Sequence, residues 1–143
     1  MKSKKKVVTN MKYEATTTSA INFAKENKIE EWVHLFLCGE GNNQVFSDGL
    51  KLEPRRYFIP EKMKLSLFER CCGPEPEMEF HTPENEFIKR VDCIAAKFNE
   101  GEWDMPPLII YRDRDGYRLS DGNHRYEALK KSGVDEYWVI VWE

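Results

Sequence analysis

The chain of 143 residues has no apolar run near the roughly 18 residues that a bilayer-spanning helix needs. Its longest apolar stretch, Trp32 to Cys38, is interrupted by His34. A secretory leader is also missing: the start MKSKKKVVTNMKYEATTTSA is basic but lacks the apolar core of about 7 to 15 residues that should follow. The expected location is therefore the cytoplasm. There is no excess of positive charge either, since Lys plus Arg number 22 against 25 Asp plus Glu, for a net charge of −3. That balance argues against sequence-independent binding of duplex DNA through many phosphate contacts. The four cysteines, Cys38, Cys71, Cys72 and Cys93, show no CxxC spacing, and there is no HxxxH pair. Reduced thiols are expected rather than a secreted disulfide framework, and a zinc site drawn from Cys38, Cys71, Cys72 and His81 lacks the usual ligand spacing. Internal repeats and low-complexity tracts are absent.

What is present suffices for one core. The composition is 41% hydrophobic and 13% aromatic, in a length typical of a single domain. Lys2, Lys4, Lys5, Lys6 and the threonines Thr16 to Thr18 read as a leader, with Val7 and Val8 able to add a short strand. From Ser19 the residues Ala20, Ala24, Ile29, Trp32, Val33 and Phe36 recur at helical spacing until Gly39, which fits one long or two short helices. Residues 39–50 read as a turn-rich connection, Arg55 to Ile59 as a short strand ended by Pro60, and Glu61 to Cys72 as a short helix. Residues 73–86, with three prolines and five glutamates, read as an acidic loop.

Thr82 as N-cap, Pro83 at the first helical position and Glu84 and Glu86 in the first turn predict a helix with a core stripe of Phe87, Val91, Ile94, Ala95 and Phe98. Then the period changes. Leu108 to Tyr111 and Tyr117 to Leu119 form a hairpin about Asp115-Gly116; a helix runs from Asp121-Gly122 to about Ser132; and Tyr137 to Trp142 is a final strand.

Chemistry concentrates at one strand-to-helix junction, Ser120-Asp121-Gly122-Asn123-His124-Arg125-Tyr126-Glu127-Ala128. The first turn of a helix presents backbone N–H groups without internal partners and the positive end of the dipole. Gly122 would let a ligand approach the backbone, and His124 and Arg125 add donors, so the junction reads as an anion cradle. The alternative is structural: Asp121 caps the helix, Gly122 turns the chain, and Glu127 pairs with Lys130 or Lys131. Arg112, Arg114 and Arg118 could reach a phosphate or be neutralised by Asp113 and Asp115, and Tyr111, Tyr117 and Tyr126 could stack on a base or pack across strands.

Three stretches, Pro106-Pro107-Leu108-Ile109-Ile110, Asp115-Gly116-Tyr117-Arg118-Leu119 and Asp121-Gly122-Asn123-His124-Arg125-Tyr126-Glu127-Ala128-Leu129, resemble the opening strand, hairpin and signature of the ParB/sulfiredoxin superfamily domain. The resemblance runs from Phe58 through Trp142. It implies an α/β, more strictly α+β, fold, a small mixed sheet with helices at 55–143; residues 1–54, read as a leader and helical extension, lie outside the resemblance. It also implies a bound nucleoside triphosphate, ATP or CTP, with Mg²⁺, whose phosphates lie on Gly122, Asn123, His124 and Arg125. Asp121, Glu127 and His124 become the candidate catalytic groups of a nucleotide hydrolase or phosphotransferase. The alternatives are a non-catalytic nucleotide-sensing module and a ParB-like nuclease or nucleic-acid binder. In sulfiredoxins the residue before His-Arg is a nucleophilic cysteine. Here it is Asn123, which forms no thiolate, so sulfinic acid repair by that route is not expected. ParB proteins continue past the final strand into a helix-turn-helix, whereas Glu143 follows that strand directly, so sequence-specific DNA binding is not expected either. The extension is the candidate surface for a protein partner.

Overall fold

The computed structural model describes residues 12–143; the expected strand at Val7 and Val8 lies outside them. The fold is α+β, with helices on both faces of a four-stranded mixed sheet. Helices α1 (Thr17–Lys25), α2 (Ile29–Cys38) and α3 (Gln44–Leu50) come first. Strand β1 (Glu61–Lys64), a 3₁₀ turn (Leu65–Leu67) and two short strands β2 (Cys72–Gly73) and β3 (Phe80–His81) follow. Helix α4 (Glu84–Asn99), the hairpin β4 (Leu108–Asp113) and β5 (Gly116–Asp121), helix α5 (Asn123–Lys131) and strand β6 (Glu136–Trp142) complete the chain. The sheet order is β1-β6-β4-β5, with β4 and β6 parallel and the other neighbours antiparallel.

Strands β4 and β6 sit in the middle and are covered on both faces, which is why Leu108-Ile109-Ile110 and Val139-Ile140-Val141 are continuous apolar runs. Alternation sorts them. Ile109, Ile140 and Trp142 face Ala20, Phe23, Trp32, Val33, Phe36 and Leu50 of α1 to α3. Leu108, Ile110, Val139 and Val141 face Met63, Phe68, Tyr126 and Leu129 on the other side, where Phe98 and Ile94 of α4 close the layer. The N-terminal helices thus supply one whole layer over the sheet, tied to the far side of the chain by Thr17 Oγ1 donating to the Met105 carbonyl at 2.7 Å.

Several local readings are corrected. The helical stretch divides into two because Asn27 takes a left-handed φ of +61° between α1 and α2. Residues 39–50 are not all turn: Asn43 caps α3, its Oδ1 accepting the Phe46 N–H, and Ser47 and Leu50 are buried. The segment Arg55 to Ile59 makes only a bridge, Tyr57 opposite Trp142, flanked by Phe58 N–H donating to the Val141 carbonyl. The strand proper lies beyond Pro60, at Glu61–Lys64, where a helix is expected. Between Tyr57 and Glu61 the chain takes four steps while β6 takes three, from Trp142 to Val139, so the extra residue is absorbed beside Pro60, which has no N–H to pair. Only Met63 of β1 points inward, so this edge strand shows no alternation to read. The acidic loop contains β2 and β3, paired in parallel. Helix α4 starts one residue later than expected: Pro83 occupies the cap position, and Thr82 makes no capping bond. Its stripe is core as read, with Phe87, Val91 and Ala95 buried against Ala128 of α5.

Candidate functional site

Helix α5 begins at the end of β5, on a turn that only glycine makes without strain. Gly122 has φ +108°, and a Cβ on it would lie 2.7 Å from Leu108 Cδ2 and 3.0 Å from Arg125 Nη2. A side chain at Gly122 would therefore collide with the protein itself.

Arg125 is buried. Its Nη1 donates to the carbonyls of Pro106 (2.8 Å) and Pro107 (2.7 Å), and its Nη2 pairs with Asp121 Oδ2 at 3.1 Å. The guanidinium lies 5.1 Å from the ring centre of Phe36. Burial works against its charge, and Asp121 opposes that effect. Asp121 Oδ1 in turn accepts from Asn43 Nδ2 at 2.9 Å, so one carboxylate joins α3, β5 and α5. Asp121 makes no side-chain capping bond to α5.

Asn123 is equally committed. Its Oδ1 accepts from the backbone N–H groups of both Cys71 (2.8 Å) and Cys72 (3.1 Å). These cysteines lie far from the motif in sequence, yet they stand beside it in space. Burial raises both thiols above their ordinary pKa, which leaves them protonated and weakly nucleophilic at neutral pH. Glu127 pairs with Arg70 at 3.1 Å rather than with Lys130 or Lys131, and Arg70 also holds Glu75. Lys131 pairs with Asp92.

The first-turn N–H groups of Asn123, His124 and Arg125 have no protein acceptor among the described residues; the ladder begins with Tyr126 N–H on the Gly122 carbonyl at 2.8 Å. They border a cleft of about 520 Å³ whose walls include Gly122, Asn123, His124, Arg125 and, from α4, Arg90 and Lys97. Arg90 and Lys97 enter no ion pair among the described residues. The Lys97 ammonium rests 4.2 Å from the Trp103 ring centre. Of the two carboxylates of the cleft, Asp121 pairs with Arg125, while Glu40 accepts from the Tyr13 hydroxyl and keeps its charge. Burial, followed by the charges of Arg90, Arg70 and Arg125, pushes the pKa of His124 down to about 4.

The structure brings together five of the six expected residues, Asp121 to Arg125, and leaves Glu127 facing Arg70 outside the cleft. Arg90 and Lys97 were not legible as site residues. Their spacing of seven puts them on one face of α4, but nothing local says that this face meets the start of α5. For magnesium, which is held by one or two carboxylates plus phosphate oxygens, the residues do not fit. Asp121 is already neutralised by Arg125, and Glu127 is turned to Arg70.

The neutral His124 carries a pH consequence. Its pKa in the fold lies below the ordinary value of about 6.5, so the unfolded chain binds a proton in that window and the folded chain does not. Stability is therefore complete above about pH 6.5 and declines as pH falls toward 4. His124→Gln is expected to flatten this slope in urea titrations across that range; an unchanged slope would assign the effect elsewhere.

No protein-family model matches the sequence, and no curated protein matches it with significance. Solved structures do. A sulfiredoxin from Arabidopsis thaliana is similar over 59% of this chain and 84% of its own, at 18% identity and TM-score 0.45. The C-terminally truncated chromosome-partitioning protein ParB from Caulobacter crescentus, complexed with CTP-gamma-S, is similar over 57% of this chain and 43% of its own, at 15% identity and TM-score 0.40. A Pnob8-like ParB-N domain is similar over 64% of this chain and 32% of its own, at 21% identity and TM-score 0.46. The matched region thus spans less than half of either ParB chain. No membrane-crossing helix, long and apolar enough, occurs among the described residues. The likeness to these structures is one of fold alone.

Proposed function

We propose that the protein binds a nucleotide through its phosphates in the cleft at the start of α5. The observation that carries this reading is the pair of cations without carboxylate partners, Arg90 and Lys97, facing a helix N-terminus whose N–H groups lack protein acceptors. The cations of the cleft, Arg90, Lys97 and Arg125, outnumber its carboxylates, Glu40 and Asp121, and a phosphate satisfies backbone donors and cations together. In this reading the N–H groups of Asn123 and His124 receive phosphate oxygens, His124 adds a neutral ring donor, and Arg125 acts by holding the Gly122 turn in place. Hydrolysis or phosphoryl transfer is the finer form of the proposal. Asp121 is the carboxylate at hand for it, and would first have to leave Arg125.

The test is calorimetric titration of the wild type and the Arg90→Ala, Lys97→Ala double variant with ATP, CTP, GTP and pyrophosphate. Two charge-assisted contacts are worth roughly 3 kcal/mol together, so the variant is expected to bind about a hundredfold more weakly. Bound pyrophosphate should also move the NMR titration of His124 up toward its ordinary pKa, because the anion cancels the positive field. Equal affinity of the two proteins, or an unmoved His124 at saturation, would refute the site. Phosphate release on the same samples separates a hydrolase or phosphotransferase from a nucleotide-sensing module.

A further inference from the structure

A second and larger cleft, about 970 Å³, runs beside β5 and shares Asn43, Cys72, Asp121 and Asn123 with the first as a common wall. One side is aromatic: Phe46, Tyr111, Tyr117 and Trp142, with Tyr111 and Trp142 ring centres 4.6 Å apart and Phe46 and Trp142 5.9 Å apart. Its rim exposes apolar surface, since Val45 is 84%, Leu67 53% and Phe80 57% accessible. Such side chains are few on this surface, and three of them border one cleft.

The charge of this cleft is opposite to that of the phosphate site. Its two arginines are spent, Arg70 on Glu75 and Glu127 and Arg118 on Asp113. Glu69, Glu77 and Glu79 line it and enter no ion pair among the described residues. An aromatic wall accepts the methylene stem of a long cationic side chain and attracts its charged end, while free carboxylates at the rim complete the pairing. Beside them β5 is the outer strand of the sheet, so a segment lying extended in the cleft has backbone to pair with. The Leu119 carbonyl of this strand accepts from the Cys71 thiol at 3.3 Å, so Cys71 already occupies one point of that edge.

We infer that this cleft docks an extended peptide segment of a partner protein in which lysine or arginine alternates with apolar residues. Apolar side chains seat against Val45, Leu67 and Phe80, and basic ones reach Glu69, Glu77 and Glu79. The surface does not depend on the phosphate cleft being a nucleotide site.

The experiment pans a phage-displayed library of random dodecapeptides against the wild-type protein, and measures selected peptides by fluorescence anisotropy. The comparison proteins are a Glu69→Lys, Glu77→Lys, Glu79→Lys variant and the Arg90→Ala, Lys97→Ala variant. All three glutamates are exposed, so the reversal leaves the core intact, and circular dichroism checks it. Selected peptides are expected to be rich in Lys or Arg beside apolar residues and to bind the charge-reversed protein about tenfold more weakly or less, since facing like charges repel. Their affinity for the Arg90→Ala, Lys97→Ala variant should be unchanged, which keeps this result separate from that of the phosphate site. Selection of no basic-apolar pattern, equal binding to the charge-reversed protein, or full displacement by spermine, which would make the occupant a small polycation, each overturns the inference.

Discussion

Arg125→Ala is expected to destabilise the fold by about 3–5 kcal/mol, the range for breaking a buried charge pair from one side. The guanidinium is the common donor to Pro106 O, Pro107 O and Asp121 Oδ2. Its removal leaves two carbonyls and a carboxylate facing a cavity against Phe36. Asp121→Asn should cost a comparable amount, because it leaves the buried guanidinium without its counter-charge and sets an amide N–H group against the Asn43 Nδ2 donor. Urea unfolding of both variants and of the double variant gives the comparison. A loss below about 1 kcal/mol for Arg125→Ala would mean that water replaces the guanidinium freely, and that the residue is not the latch of this junction. The same variant would lose anion binding through collapse of the turn, so an effect of Arg125 on nucleotide affinity alone does not establish a phosphate contact. The Arg90 and Lys97 variants are the cleaner probe.

Gly122→Ala is expected to be nearly as damaging, by about 2–4 kcal/mol, because two costs add there. The first is conformational, since φ +108° is a region that L residues rarely adopt. The second is steric: Leu108 Cδ2 at 2.7 Å belongs to a fully buried strand residue, and Arg125 Nη2 at 3.0 Å is itself pinned. Gly133→Ala separates the two. Gly133, at φ +79°, has no atom within 4 Å of a built Cβ, so it carries the conformational cost of about 1 kcal/mol without the clash. Thermal unfolding of the pair should place Gly122→Ala well below Gly133→Ala. Equal melting temperatures would show that Leu108 and Arg125 move aside at little cost.

The elements that were legible are those whose signals are local. The hairpin about Asp115-Gly116, the α4 stripe of Phe87, Val91 and Ala95, the α5 stop at Gly133 and the apolar β6 all follow from periodicity and turn chemistry, which act over a few residues. The illegible elements depend on distant partners. β1 is a strand because Met63 pairs opposite Tyr137 on β6, and α3 forms where glycines and asparagines suggest turn because Asn43 caps it while Ser47 and Leu50 bury against α2 and the sheet.

The site divides in the same way. The motif from Asp121 to Arg125 marked the junction, because glycine, a helix start and clustered donors coincide in one short stretch of chain. Sequence could not say which of those donors is free. Tertiary structure commits Arg125 to Pro106, Pro107 and Asp121, commits Asn123 to Cys71 and Cys72, and turns Glu127 to Arg70. It also brings Arg90 and Lys97 from another helix to the place where an anion would sit. The order of residues determines the backbone geometry of a short motif. The availability of each charge depends on what packs against it from elsewhere in the chain, because an ion pair forms through space between groups whose separation along the chain carries no signal.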